Sequence, residues 1–269
     1  RTDNNKYYYY YFQSRYFQGE IKKISSTTAL PKFNKTQFKK IDIKIPPLPT
    51  QQSIVSELDS LSKIIADCKE TLKDYDALEQ SIFYDMFGDP VKNDKGFDIN
   101  RLDEIFSLIT DGTHQTPTYT EDKENGVKFL SAKDVTSGVI CWDNIKYIPL
   151  ELHKELYARL APQRNDILLC KNGTTGICAI VDTDEIFDIY VSLALLRPKS
   201  GFLPLYLKYA INNPWTKQQF DDSLKGVGVP NLHLGEIKKT KIILPPLPLQ
   251  QQFASKIEAI EQMKEETKK

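Results

Sequence analysis

The residue types able to do covalent or metal chemistry are sparse in this sequence, and their spacing assembles no catalytic set. His114, His153 and His233 lie far apart, so no nucleophile with an adjacent base can be built around them. Cys68, Cys141, Cys170 and Cys178 form no Cys-x-x-Cys pair, so no zinc or other metal site is expected, and they read as the reduced cysteines of a cytoplasmic protein. Asn212-Asn213-Pro214-Trp215 lacks the second proline of the Asn-Pro-Pro-Tyr pattern that grips an extruded base in amino-methyltransferases. No glycine-rich cofactor loop accompanies it, and 199 residues earlier the chain reads Gln13-Ser14-Arg15-Tyr16, so a helix terminus is expected there. Glu236-Ile237-Lys238, with Asp221 upstream, has a nuclease-like Glu-x-Lys spacing but no preceding Pro-Asp, and reads as surface charge. No phosphate-binding Walker loop is present. No catalytic residue and no cofactor is therefore expected.

Polar loops carry what chemistry remains. Lys171-Asn172-Gly173-Thr174-Thr175-Gly176 lies between two apolar runs, the arrangement in which a rigid β scaffold projects donors and acceptors. Asn172 has the geometry to pair with adenine, Lys171 with guanine or phosphate, and Thr174 and Thr175 with base edges or backbone. Thr113-His114-Gln115-Thr116 forms a second such loop, and the flexible stretch Lys225 to Asn231 a third. Each also reads as an ordinary polar turn, Asn-Gly and Asp-Gly serving turn geometry. Net charge is zero overall, but residues 1–49 hold ten Lys/Arg against three Asp/Glu, and residues 97–248 hold seventeen against nineteen. Nucleic-acid binding by the longer part thus requires a local patch, with Lys133, Lys171 and Lys225 as the leading phosphate contacts.

The elements that must position these loops follow from a self-match at an offset of 199 residues. Lys44-Ile45-Pro46-Pro47-Leu48-Pro49-Thr50-Gln51-Gln52 recurs as Ile243-Leu244-Pro245-Pro246-Leu247-Pro248-Leu249-Gln250-Gln251, and Tyr7 and Tyr10 fall on Tyr206 and Tyr209. Such a period signifies a duplicated domain-plus-helix unit. After each proline-rich joint the pattern predicts a helix, the first with Thr50 as N-cap. Ile54, Leu58, Leu61, Ile65, Cys68, Leu72 and Tyr75, extended by Ile82 and Met86, recur at coiled-coil spacing. Phe253, Ile257 and Ile260 begin the second seam, with Lys264 next on it, and the two helices are expected to pack as an antiparallel pair, within the chain or between chains, Ile54, Leu58 and Leu61 against Phe253, Ile257 and Ile260. Between the helices, the runs 127–130, 167–170, 177–181 and 189–196 read as strands and Leu203 to Asn212 as a short helix. The expected fold is α+β: a β-rich mixed domain flanked by long coiled-coil helices. No apolar run is long enough for a membrane span.

Three stretches together resemble the specificity subunits of type I restriction–modification systems: Asp111 to Pro117 followed by Gly126 to Leu130, Asp166-Ile167-Leu168 with Lys171 to Gly176, and Pro245-Pro246-Leu247-Pro248 running into a helix. The resemblance implies two target-recognition domains, each reading half of a bipartite site in double-stranded DNA, separated by helices that act as a ruler. It implies that methyltransferase subunits, and a restriction/translocase subunit joined through the complex, supply all catalysis. On that reading residues 1–49 are the end of a first recognition domain, 50–88 a spacer helix, 97–248 the second recognition domain, and 249–269 the start of another spacer helix. The start at Arg1 rather than Met makes upstream sequence an expectation. The family usually has Glu-Gln after the joint, where both copies here have Gln-Gln. Two other readings remain open: the recognition domain of a DNA methyltransferase whose catalytic part lies upstream, and a coiled-coil scaffold without DNA binding.

Overall fold

The computed structural model describes residues 4–25, 32–224 and 230–269, which fall into two compact units, residues 1–76 with 264–269 and residues 77–263. In the first unit, helices α1 (Asn5–Gln13), α2 (Arg15–Ile24) and α3 (Lys35–Phe38) precede the long α4 (Leu48–Phe87). A cluster of rings holds the short helices together: Phe17 is buried, and its ring lies 4.6 Å from Phe12 and 6.0 Å from Phe38, centroid to centroid. α4 begins at Leu48, ahead of the expected cap at Thr50. Proline lacks the N–H that a first turn leaves unbonded anyway, so Pro49 sits inside that turn at little cost.

The second unit continues with β1 (Asp98–Arg101), α5 (Leu102–Ile105), β2 (Phe106–Asp111), β3 (Val127–Leu130), β4 (Lys146–Ile148), α6 (Leu150–Arg159), β5 (Ile167–Cys170), β6 (Cys178–Ile180), β7 (Phe187–Ile189), β8 (Leu193–Pro198), α7 (Pro204–Asn212), α8 (Pro214–Ser223), α9 (Leu234–Lys239), β9 (Lys241–Leu244) and α10 (Leu247–Lys268). The architecture is α+β. Strands order as β2-β8-β5-β6 in an antiparallel sheet and as β4-β3-β7 in a mixed one, and β1 pairs with β9. Both faces of the four-stranded sheet are buried, which explains why its strands read as continuous apolar runs. Alternation along β5 sends Ile167 and Leu169 into one core with the helices and Leu168 and Cys170 into a second core shared with β3 and β7. β8 does the same with Ala194 and Leu196 against Leu193 and Leu195.

The run 189–196, expected as one strand, is two. β7 ends at Ile189 in the mixed sheet and β8 begins at Leu193 in the antiparallel one, so Tyr190, Val191 and Ser192 carry the chain from sheet to sheet.

The duplication is visible in hydrogen bonds. Gln51 donates to the Pro46 carbonyl at 2.8 Å and accepts from the Asn4 amide at 2.9 Å. Gln250 donates to Pro245 at 2.8 Å and accepts from Leu203 at 3.2 Å, each partner 199 residues on. Likewise Tyr7 donates to the Lys44 carbonyl at 2.7 Å and Tyr206 to Ile243 at 2.6 Å. The first glutamine of each pair is the clasp that ties joint to domain.

The second helix carries its apolar residues inward. Phe253, Ile257 and Ile260 are buried, and the Phe253 ring lies 5.2 Å from Tyr209, 5.3 Å from Phe87 and 5.8 Å from Phe83. Leu61 and Ile65 are more than half exposed, and Leu72 is half-buried. Eleven residues beyond Phe253, Lys264 is buried and reaches Asp76 at 2.8 Å. That order of partners is that of two helices running in opposite directions. Aromatic bulk at Phe83 and Phe87 sets the register, one residue off the row of Ile82 and Met86 that the seven-residue spacing favours.

Candidate nucleic-acid interface

Two of the loops singled out by sequence, and the turn that carries Lys133, meet at the crossing segment Tyr190–Ser192. The Thr113 amide donates to the Ile189 carbonyl at 3.1 Å, and the Val191 amide returns a bond to Thr113 at 2.9 Å. The Lys171 amide donates to the Ser192 carbonyl at 2.9 Å. The Ala132 amide, beside Lys133, donates to Ser192 Oγ at 3.0 Å. The segment after residue 229 joins through the second loop: the Leu232 amide donates to Lys171 at 2.7 Å, Gly173 to Pro230 at 3.2 Å, and Asn172 bridges Asn231. The ends of β2, β3, β5 and β7 therefore place Thr113, Lys133, Asn172, Thr174 and Asn231 around one end of the sheets.

Close backbone approach makes this possible. A Cβ on Gly112 would lie 2.1 Å from the Ile189 carbonyl oxygen, so only glycine lets the first loop reach the crossing. Gly173 and Gly176 hold φ of 74° and 83°, the left-handed values that fold the second loop back on Cys170, whose carbonyl accepts from Gly176 at 2.9 Å.

The residues do not share one role. His114, Gln115, Thr116, Lys133 and Thr174 are exposed, and Thr113, Asn172 and Asn231 half-buried. Thr175 and Lys171 are buried. Lys171 is one of the candidate base or phosphate contacts. Its ammonium instead lies 2.6 Å from Asp111 Oδ2 inside the protein, because a buried carboxylate at the end of β2 requires a counter-charge. Asp111 also accepts from His114 Nε2 at 3.2 Å through its other oxygen, and its carbonyl accepts from Arg159 Nη2 at 3.0 Å. Lys171 and Asp111 thus lock the two loops together. The side-chain oxygens of Asn172 and Asn231 are sealed from solvent without a partner, an unmet acceptor capacity of about 1–3 kcal/mol each. Lys225 lies outside the described residues.

Sequence reasoning missed Tyr190 and Ser192, hidden inside an apolar run, and Lys217, whose Nζ lies 3.4 Å from the Thr175 carbonyl. A helical position 42 residues away from a loop gives no local signal of that proximity. Asn213 caps α8 by accepting from the Trp215 amide at 3.0 Å, as a helix terminus should, and the Asn212 amide bonds both backbone groups of Cys178. Asp188 on β7 is held above the usual carboxylate range, first by burial, although His153 Nδ1 lies 2.7 Å away and favours its charge. Among the described residues, no group of three or more His, Cys, Asp or Glu could hold a metal, and no helix is long and apolar enough to cross a membrane.

The family model of the type I restriction modification DNA specificity domain matches residues 1–75 and 94–269, and the chain belongs to that family. It is 24% identical over 258 residues to the type I restriction enzyme MjaVIII specificity subunit of Methanocaldococcus jannaschii, a match covering 90% of this chain and 60% of that one. It is 22% identical to the EcoBI specificity subunit of Escherichia coli, covering 81% and 51%. The chain thus spans about half to three-fifths of the length of these relatives. The S subunit of a type I restriction–modification system from M. genitalium shares the fold, with a TM-score of 0.56 at 14% identity over 98% of this chain and 67% of that one.

Proposed function

We propose that this chain reads one half of a bipartite site in double-stranded DNA and docks modification subunits of a type I restriction–modification complex, itself contributing no catalytic group. The observation that carries this reading is the convergence of the loops at 113–116, 131–134 and 171–176 on the Tyr190–Ser192 crossing, with 230–231 joined to the third of them. Family membership supports DNA as the ligand class, and the loops offer a compact set of donors and acceptors on a rigid double core. His114, Gln115, Thr116 and Thr174 are the base-edge candidates, with Thr113, Asn172 and Asn231 behind them. Lys133, Lys217 and Lys225 are the phosphate candidates. Lys171 and Thr175 shape the surface from within. The free cysteines fit a cytoplasmic site of action.

Residues 97–248 hold seventeen Lys/Arg against nineteen Asp/Glu, so binding by the chain alone is weak and salt-sensitive, with non-specific Kd of roughly 10⁻⁴–10⁻⁶ M near physiological salt. Fluorescence anisotropy with labelled duplex at several salt concentrations, repeated with a type I methyltransferase subunit added, tests the proposal. Affinity should fall with salt, and methyl transfer should appear only with the added subunit. Salt-independent binding, or methyl transfer by the chain alone, would contradict it.

A further inference from the structure

Beside the crossing segment lies a cavity of ≈ 390 Å³, within the range of about 300–1,000 Å³ typical of small-molecule sites. Tyr119, Phe129 and Tyr190 wall it, and Lys133, Lys146 and Ser192 add polar groups. Phe129 is buried and its ring lies 6.1 Å from Tyr119 and 6.2 Å from Tyr190, so it backs the two partly open tyrosines. The Lys146 ammonium sits 3.9 Å from the centroid of Tyr119, held there by the ring face. Lys133 is exposed and only loosely paired, 3.7 Å from Asp134 Oδ1. The other oxygen of Asp134 accepts from the amide and hydroxyl of Ser131. Ser192 Oγ accepts from the Ala132 amide, which leaves its hydroxyl hydrogen free to donate. Burial holds the Tyr119 phenol above its ordinary value, so it too is a neutral donor.

Side-chain groups turned to the cavity are thus cations and donors, set among aromatic faces. The complementary ligand has a flat aromatic body and an anionic group. We propose that the cavity binds one nucleotide, its base against Tyr119 and Tyr190 and its phosphate between Lys133 and Lys146. The site itself stands independently of DNA reading. Only the assignment of the nucleotide to a bound DNA strand rests on the proposed function, because Tyr190 and Ser192 are shared with the loop junction.

The test uses 2-aminopurine in two arms. The chain is titrated with 2-aminopurine deoxyribonucleoside monophosphate, and separately with duplexes carrying 2-aminopurine at successive positions. Binding should change the fluorescence of the free nucleotide, of one duplex position, or of both. Tyr119→Ala should weaken the effect about tenfold, the size a lost base–aromatic stack gives. Tyr119→Phe should retain it, and Lys146→Ala should weaken it and flatten its salt dependence. A response to the free nucleotide alone assigns the cavity to a soluble nucleotide, even if the chain reads no DNA. A response at one duplex position assigns it to the DNA strand. No response in either arm, or a response that Tyr119→Ala and Lys146→Ala leave unchanged, overturns the proposal.

Discussion

Lys171 donates to Asp111 across 2.6 Å with both side chains less than a tenth exposed, and this pair joins the ends of β5 and β2. Removing one partner would strand the other charge in the interior. Lys171→Met alone should destabilise the second unit by about 3–5 kcal/mol, and Lys171→Met with Asp111→Leu should recover much of the loss. Urea unfolding of the unaltered chain and the two variants decides it. A Lys171→Met variant of unchanged stability but reduced DNA affinity would return this lysine to the contact surface.

The helix register makes a contrasting pair of expectations. Phe253→Ala should cost about 3–5 kcal/mol, because its ring fills the space among Phe83, Phe87 and Tyr209. Ile65→Asp, on an exposed stretch of α4, should change stability by no more than about 0.5 kcal/mol. Thermal melts of both variants check this. Equal losses would restore the seam with Ile65 in the contact.

Gly112→Ala tests the loop junction through the backbone. The added methyl meets the Ile189 carbonyl at 2.1 Å, so the bonds of Thr113 to Ile189 and Val191 must break or lengthen. Hydrogen exchange at Thr113 and Val191 should accelerate at least tenfold while the amides of β5 stay protected. Unchanged exchange at both positions would mean the junction tolerates a side chain.

The thiols give a prediction in pH. Burial pushes the Cys170 thiol up from its ordinary 9.0 to about 12, and burial raises Cys178 as well, whereas Cys141 is exposed. At pH 8 to 9 iodoacetamide should modify Cys141 in the folded chain and spare Cys170 and Cys178. The stability linked to the neutral Cys170 thiol is fully present below pH 9 and is lost as pH rises toward 12, since the unfolded chain releases that proton first. Mass spectrometry of labelled peptides, with and without urea, reads the outcome. Labelling of Cys170 at the rate of Cys141 would contradict the burial.

What was legible in the sequence was local or repeated. The 199-residue match placed both joints and, through Gln51 and Gln250, the same clasp twice. Apolar runs located β5 and β6 because strands buried on both faces are apolar throughout, and β3 through its buried end at Phe129 and Leu130. The break at Tyr190–Ser192 was not legible, since crossing between sheets needs no glycine, proline or charge to announce it. The role of Lys171 was hidden for a different reason. A lysine beside Asn-Gly looks solvated until the chain 60 residues away supplies Asp111. Periodicity shows that a stripe exists on α4, but not that the bulk of Phe83 and Phe87 is what meets Phe253 on α10.

Selection of DNA from a randomised duplex pool tests the central claim most directly. The chain, alone and with a methyltransferase subunit, is incubated with the pool, and the retained fraction is sequenced. Enrichment of one short motif is the expected result. Asn172→Ala with Thr174→Ala, and separately His114→Ala with Gln115→Ala, should each relax preference at one or two base pairs, worth about 1–3 kcal/mol per position. Lys217→Ala should weaken retention of all sequences alike. A pool that emerges without a motif, or a motif that neither pair of substitutions alters, would contradict the assignment of these loops as the reading surface.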